Sequence, residues 1–147
     1  MAKVIEIGIS EKLKGKMQSV NTVRAIAGKG IINDRYFKEK NHEKSQITLI
    51  EIENISHYNK IFKTNIFPIN FRRNIITEGI KLNELVGKKF LIGNVQVKAH
   101  DLCRPCKTLQ ETLKQQKNFV KELLFKGGLR CEILHDGEIT IGDKIIF

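Results

Sequence analysis

The sequence predicts a mainly β fold, a closed or partly closed β-barrel with two or three inserted or peripheral helices, built as one domain over residues 1–147. Three observations predict it. About eight short segments carry the alternating or β-branched pattern of strands. Glycine-containing turns separate them, a pattern of barrels rather than of doubly wound parallel sheets. The length fits one domain, and at 41% hydrophobic a chain of this size forms a core without disulfides or a structural metal.

The elements follow in order. Lys3-Val4-Ile5-Glu6-Ile7-Gly8-Ile9 places apolar residues at 5, 7 and 9, the period of two that turns one strand face to a core. Residues 20–27 are β-branched enough for a second strand, broken by Gly28-Lys29-Gly30. A polar loop over 39–45 leads to alternation over 46–51. Ile52, Ile55, Tyr58 and Phe62 then recur at helical spacing, so a helix spans 51–63, and Pro68 marks a boundary. Residues 71–77 read as a strand and 82–87 as a short turn. Residues 89–92 and 95–100 form a hairpin through Gly93-Asn94, where glycine in the first position favours a type II′ turn. Apolar positions 109, 113, 120, 123 and 124 suit one or two helices over 108–125, ended by Gly127-Gly128. Short strands over 129–134, 139–141 and 144–147 surround the turn His135-Asp136-Gly137.

Charge and composition narrow the function classes. Lys+Arg number 26 against 16 Asp+Glu, a net charge of +10 that attracts anions. The cations are 20 Lys but only 6 Arg, beside 22 Ile, so much of the lysine is the bias of an AT-rich coding sequence. Scarce arginine and few aromatic platforms disfavour a nucleic-acid reader, leaving an RNA-binding barrel as the least favoured class. No apolar run approaches the roughly 20 residues that span a bilayer, and the first residues lack a signal-peptide core, so the cytoplasm is the expected location. Cys103, Cys106 and Cys131 are an odd set, which argues for reduced thiols.

Three places carry the chemistry. Asp101-Leu102-Cys103-Arg104-Pro105-Cys106-Lys107 lies after a strand and before a helix. Zinc is a minor reading, because Cys131, His100 and His135 offer no second ligand pair. A thioredoxin-like pair would need a βαβ setting. A nucleophilic or metal-ligating thiolate at a helix N-terminus, its pKa lowered by the macrodipole, Arg104 and Lys107, weighs evenly against two small buried hydrophobes. His100 precedes this motif and could perturb it. Next, Phe71-Arg72-Arg73-Asn74 on a strand puts Arg72 and Asn74 on one face and Arg73 on the other, so an inward Arg72 needs a carboxylate or a bound anion. Last, Asn33-Asp34-Arg35-Tyr36 is a glycine-supported turn in which Asp34 and Arg35 can pair locally, while the lysines of 12–16 read as a solvated face.

Set in order, these pieces resemble the MOSC domain, the C-terminal domain of molybdenum cofactor sulfurase, in its small stand-alone bacterial form. The resemblance runs from Ile5 to Ile145. It rests on the glycine-rich turn ending in Asp34-Arg35, on Gln46-Ile47-Thr48-Leu49-Ile50, on Phe71-Arg72-Arg73-Asn74-Ile75 and on Thr77-Glu78-Gly79 through Gly87. Cys103-x-Pro105-Cys106, Gly128-Leu129-Arg130 and the ending Asp136 to Asp143 complete it. It implies a β-barrel with a pocket for molybdenum cofactor (Mo-molybdopterin), in which Arg35, Arg72, Asn74 and Thr108 hold the cofactor. Of the two catalytic candidates, Cys103 and Cys106, the resemblance makes Cys106 the molybdenum ligand, or else the carrier of a persulfide sulfur. Relatives of the family reduce N-hydroxylated compounds. The family's pyridoxal phosphate binding label attaches to no residue here. Asn33 replaces the glycine common before Asp-Arg, and no ferredoxin or flavin segment accompanies the barrel. A reductase would therefore need an external electron donor, and a sulfur carrier would serve a molybdoenzyme or a cofactor-biosynthesis protein.

Overall fold

The computed structural model describes residues 1–104, 109, 113 and 119–147. The strands are β1 (Lys3–Ile9), β2 (Gln18–Ser19), β3 (Thr22–Ile26), β4 (Gly30–Ile31), β5 (Ile47–Glu51), β6 (Ile75–Glu78), β7 (Lys89–Ile92), β8 (Val95–Leu102), β9 (Leu129–Ile133), β10 (Gly137–Thr140) and β11 (Ile145–Ile146). Eight of them form one sheet in the order β11-β7-β8-β9-β5-β6-β1-β2, and β10-β3-β4 form a second. The large sheet curls into a half-barrel. The start of β1 meets the β11 edge, where Val4 N donates to Asp143 O at 2.9 Å, Gly142 N to Val4 O at 2.8 Å and Ile145 N to Ala2 O at 3.0 Å. All neighbours in the large sheet are antiparallel except β5 and β6, which run parallel. A parallel pair needs a crossover, supplied by helix α1 (Ile52–Phe62) and a 3-10 turn, η1 (Pro68–Phe71).

The inside of the curl is a continuous apolar core including Val4, Ile7, Leu49, Ile75, Val97, Leu129, Cys131 and Ile133, all at most 1% exposed. A second cluster on the outer face packs Ile55 and Tyr58 of α1 against Ile50, Phe71 and Ile76, with Leu109 and Leu123 beside them. Leu123 belongs to α2 (Phe119–Leu123), the described part of the helices expected over 108–125. The Tyr58 ring stacks tilted on Phe62 at 4.6 Å and meets Phe71 edge-on at 6.2 Å. Among the described residues no helix is long and apolar enough to cross a membrane.

Three local departures from the sequence pattern shape the site. In β1 the register shifts between Val4 and Glu6, so Val4, Ile7 and Ile9 enter the main core while Ile5 packs on the outer cluster, unlike the predicted face of 5, 7 and 9. The strand predicted from Phe71 begins only at Ile75, because Phe71 ends η1 and Arg72 takes a left-handed conformation (φ 65°, ψ 30°). In β8 a bulge between Ala99 and Asp101 leaves His100 as an extra residue. The alternation then changes parity: Val95, Val97 and Ala99 face the core, but after the bulge Leu102 does, which turns Asp101 and Cys103 outward. The β7–β8 hairpin turns as predicted, with Gly93 at φ 58° and a Cβ there placed 2.5 Å from Asp143 Oδ2.

Candidate functional site: a cation-lined cavity

On the outer face of the sheet, a cavity of about 640 Å³ opens between the 12–16 loop, the 33–36 turn, the start of β6 and the ends of β8 and β9. Arg35, Arg72, Arg73, Arg104 and Arg130 line it, five of the chain's six arginines, together with Lys14 and Lys44 and, among the described residues, a single carboxylate, Asp101. The volume falls in the range of roughly 300–1,000 Å³ usual for small-molecule sites.

The wall beside the 33–36 turn is knitted into the fold. Asp34 Oδ1 accepts from Arg35 Nη1 at 2.9 Å and from Ser10 N at 3.1 Å, and the Arg35 and Asp34 side chains are only 3% and 1% exposed. Arg35 Nη2 donates to Arg72 O at 3.1 Å, and its guanidinium carbon sits 4.5 Å above the Tyr36 ring. Arg72 donates from Nη1 to Gly15 O at 2.7 Å and from Nη2 to Leu13 O at 2.9 Å, tying the 12–16 loop down. Burial, then the neighbouring Arg35 charge, hold the Arg72 guanidinium below its usual pKa. Asn74 is buried and satisfied: Oδ1 accepts from Thr48 N at 3.1 Å and Thr48 Oγ1 at 3.2 Å, and Nδ2 donates to Gly8 O at 3.2 Å. It joins β1, β5 and β6 where they reach the cavity.

The opposite wall is looser. Arg130, on β9, donates from Nε to Lys44 O at 3.0 Å, and its two terminal nitrogens make no hydrogen bond among the described residues. Lys44 Nζ lies 3.7 Å from Asp101 Oδ2. The hydrogen bond from Leu102 N at 2.8 Å, aided by Lys44, Arg104 and Arg130, keeps the Asp101 carboxyl below its usual pKa. One buried polar atom lacks a partner among the described residues, Arg35 Nε. Such an atom is costly unless a ligand or water supplies an acceptor.

Of the site residues predicted from sequence, Arg35, Arg72, Asn74 and Cys103 line this one cavity. Cys106 and Thr108 lie outside the described residues. Arg73, expected on the opposite face from Arg72, lines the cavity as well, because the left-handed turn at Arg72 removes the strand alternation. Arg73 Nε donates to Gly127 O at 2.9 Å. Of the two readings of these thiols, Cys103 follows the buried one: desolvation raises its pKa against the pull of Arg73 and Arg130. Its amide donates to Gly128 O at 2.7 Å. Gly128, at φ 101°, has no room for a side chain, since a Cβ there would stand 1.7 Å from Leu49 O. Cys131 packs in the core, its thiol pushed well up by burial.

Sequence reasoning missed Arg130, Arg73, Lys44 and Lys14 as cavity residues. Arg130 carried a readable signal: Leu129, Cys131 and Ile133 face the core, so period two sends Arg130 to the other side, beside Thr48 and Asp101 on the neighbouring strands. Lys14 and Lys44 sit in polar loops with nothing local to distinguish them.

Together the fold and the site define a barrel-like protein with a strongly cationic cavity. The sequence family described as the MOSC domain matches residues 36–146, and the chain belongs to the MOSC domain family, which is associated with molybdenum cofactor binding. The match starts one residue past Arg35, which geometry alone places at the cavity. Solved structures agree on the fold. The YuaD protein of Bacillus subtilis superposes with a TM-score of 0.81 at 18% identity, covering 98% of this chain and 93% of that one. YiiM of Geobacillus stearothermophilus gives 0.78 at 14% identity, covering 99% of this chain and 74% of that one. YiiM of Escherichia coli gives 0.71 at 14%, with 99% and 67% covered. No curated protein matches the chain by sequence.

Proposed function

We propose that the chain binds molybdenum cofactor, or the metal-free molybdopterin, in the cation-lined cavity, with Cys106 as the molybdenum ligand. The observation that carries this reading is the convergence of five arginines, from positions 35 to 130, on one cavity. The residues fit a phosphate-bearing organic anion. Arg130 offers a planar fork that is uncommitted among the described residues and matched to phosphate oxygens, and Lys14 and Lys44 add charge. Arg35 and Arg72 hold the floor in shape, and Arg35 Nε still wants an acceptor. Asn74 spends its hydrogen bonds on the three strands beneath and so positions the cavity rather than touching the cofactor directly. Burial keeps Cys103 a neutral thiol, which favours Cys106 for a role that needs a thiolate. When bound, the cofactor would supply two-electron redox chemistry at molybdenum. A loaded protein is then a candidate reductase of N-hydroxylated compounds, with electrons from an external donor.

The test is metal and pterin content after production in a host that makes the cofactor and is fed molybdate. Wild type is expected to carry molybdenum and to release a fluorescent pterin on oxidation. Cys106→Ser should lose molybdenum and keep pterin, Arg130→Ala should lose both, and Cys131→Ser should match wild type. Neither molybdenum nor pterin, with a persulfide mass on Cys106, would overturn cofactor binding in favour of sulfur carriage. Equal losses in Cys106→Ser and Cys131→Ser would remove the assignment of Cys106.

A further inference from the structure

Beside the cavity, three groups from three parts of the chain converge outside the machinery described above. His100 Nε2 lies 2.8 Å from Glu132 Oε1 and 3.9 Å from Glu43 Oε2, and the three donor atoms fall within 4.8 Å of one another. His100 is the bulge residue of β8, Glu132 lies on β9 two residues beyond Arg130, and Glu43 is in the polar loop that carries Lys44. The His100 side chain is 13% exposed and Glu132 28%, so two of the three donors are largely removed from water.

This grouping runs against the composition. Cations outnumber carboxylates 26 to 16, yet among the described residues neither Glu43 nor Glu132 has a Lys or Arg within ion-pair distance. Their shared partner is a single imidazole. Two carboxylates drawn to one imidazole repel each other, and a bound cation removes that cost. The extra residue in β8 points the same way, since bulges commonly re-aim a side chain beside a functional site.

We propose that Glu43, His100 and Glu132 form a binding site for a divalent first-row transition ion, zinc being the best match. One imidazole nitrogen and two carboxylate oxygens are a three-ligand set that leaves a fourth position for water. Magnesium and calcium prefer oxygen-only shells of six or more ligands. Donors about 2 Å from one tetrahedral ion stand about 3.3 Å apart, so the loop-borne Glu43 closes by up to about 1.5 Å. The ion would tie the 42–45 loop to β8 and β9. Lys44, one residue along, receives Arg130 Nε on its carbonyl, so the same tether steadies the looser wall of the cavity.

The experiment uses the full chain, stripped with a chelator and made without molybdate or pterin, so that it is read apart from cofactor binding. Zinc is titrated by calorimetry and Co²⁺ by absorption spectroscopy. The expected result is one equivalent bound, with affinity weakened more than about tenfold in His100→Ala, Glu132→Gln and Glu43→Gln. Glu43→Gln changes an exposed loop side chain and keeps the test valid if a strand variant misfolds. Zinc should also raise the melting temperature of wild type and of Cys103→Ser, where magnesium does not. A sulfur-to-cobalt charge-transfer band would overturn the site by assigning the metal to cysteine. So would unaltered affinity in Glu43→Gln and Glu132→Gln, or the absence of zinc binding to wild type.

Discussion

The two walls of the cavity use the same residue type in opposite ways. On one side Arg35 and Arg72 hand their guanidinium nitrogens to Asp34 and to the carbonyls of Arg72, Gly15 and Leu13. On the other, Arg130 spends only Nε on a described residue, and its fork makes no hydrogen bond among the described residues. A cavity rich in arginine is therefore not uniformly a binding surface. Arginines whose terminal nitrogens are bonded to the chain act as framework, and the one whose terminal nitrogens make no bond among the described residues is placed to recognise an anion.

The largest expected effect tests the framework wall. Asp34→Ala strands the Arg35 charge and the Ser10 amide, so urea unfolding should show a loss of about 3–5 kcal/mol. A loss no greater than that of Arg130→Gln would erase the contrast between the walls. Asn74→Ala removes the side-chain partners of the Thr48 amide and the Gly8 carbonyl, and should cost about 2–3 kcal/mol by the same measurement. Arg130→Gln, on the open wall, should cost about 1 kcal/mol or less. Pyrophosphate is expected to raise the melting temperature of wild type and not that of Arg130→Gln, and an equal rise in the variant would show that the fork is not the anion contact.

The smallest effect concerns the thiols. Burial raises the pKa of Cys103 and Cys131, so the folded state holds their protons more tightly than the unfolded chain does. Their contribution to stability is complete below the unfolded thiol pKa and is lost as pH rises through the folded values. Stability should thus decline on the alkaline side, and a Cys103→Ala/Cys131→Ala double variant should show a shallower decline. Iodoacetamide at neutral pH, mapped by mass spectrometry, should leave Cys103 unmodified while Cys106 reacts. Equal labelling would contradict the burial argument.

The parts legible in sequence were those set by local pattern. The alternation of 46–51, the helical spacing of Ile52, Ile55, Tyr58 and Phe62, and the Gly93-Asn94 turn appear in the structure at β5, α1 and the β7–β8 hairpin. The Asp34-Arg35 pair, read as a local interaction, is a buried ion pair that reaches Ser10 and Arg72. What escaped depends on partners distant in the chain. The bulges at Ile5 and His100 exist only relative to β6 and β9, and they decide which side of the sheet Ile5, Asp101 and Cys103 occupy. Arg72 and Arg73 share the cavity because a 3-10 turn replaces the predicted strand, a tertiary outcome that β-branched neighbours alone concealed.

The seam between residues 2–4 and 142–145 bears on how the molecule is made. It couples positions almost a full chain length apart, so it adds nothing until β5 to β9 have already come together. Contacts of such high sequence separation slow folding, because the entropy of closing the loop precedes any reward. The parallel β5–β6 pair adds a second nonlocal step. A folding time in the millisecond-to-second range is expected on that topology. The cavity is built by strands from across the same sheet, so anion affinity should develop late in refolding, with those nonlocal pairings.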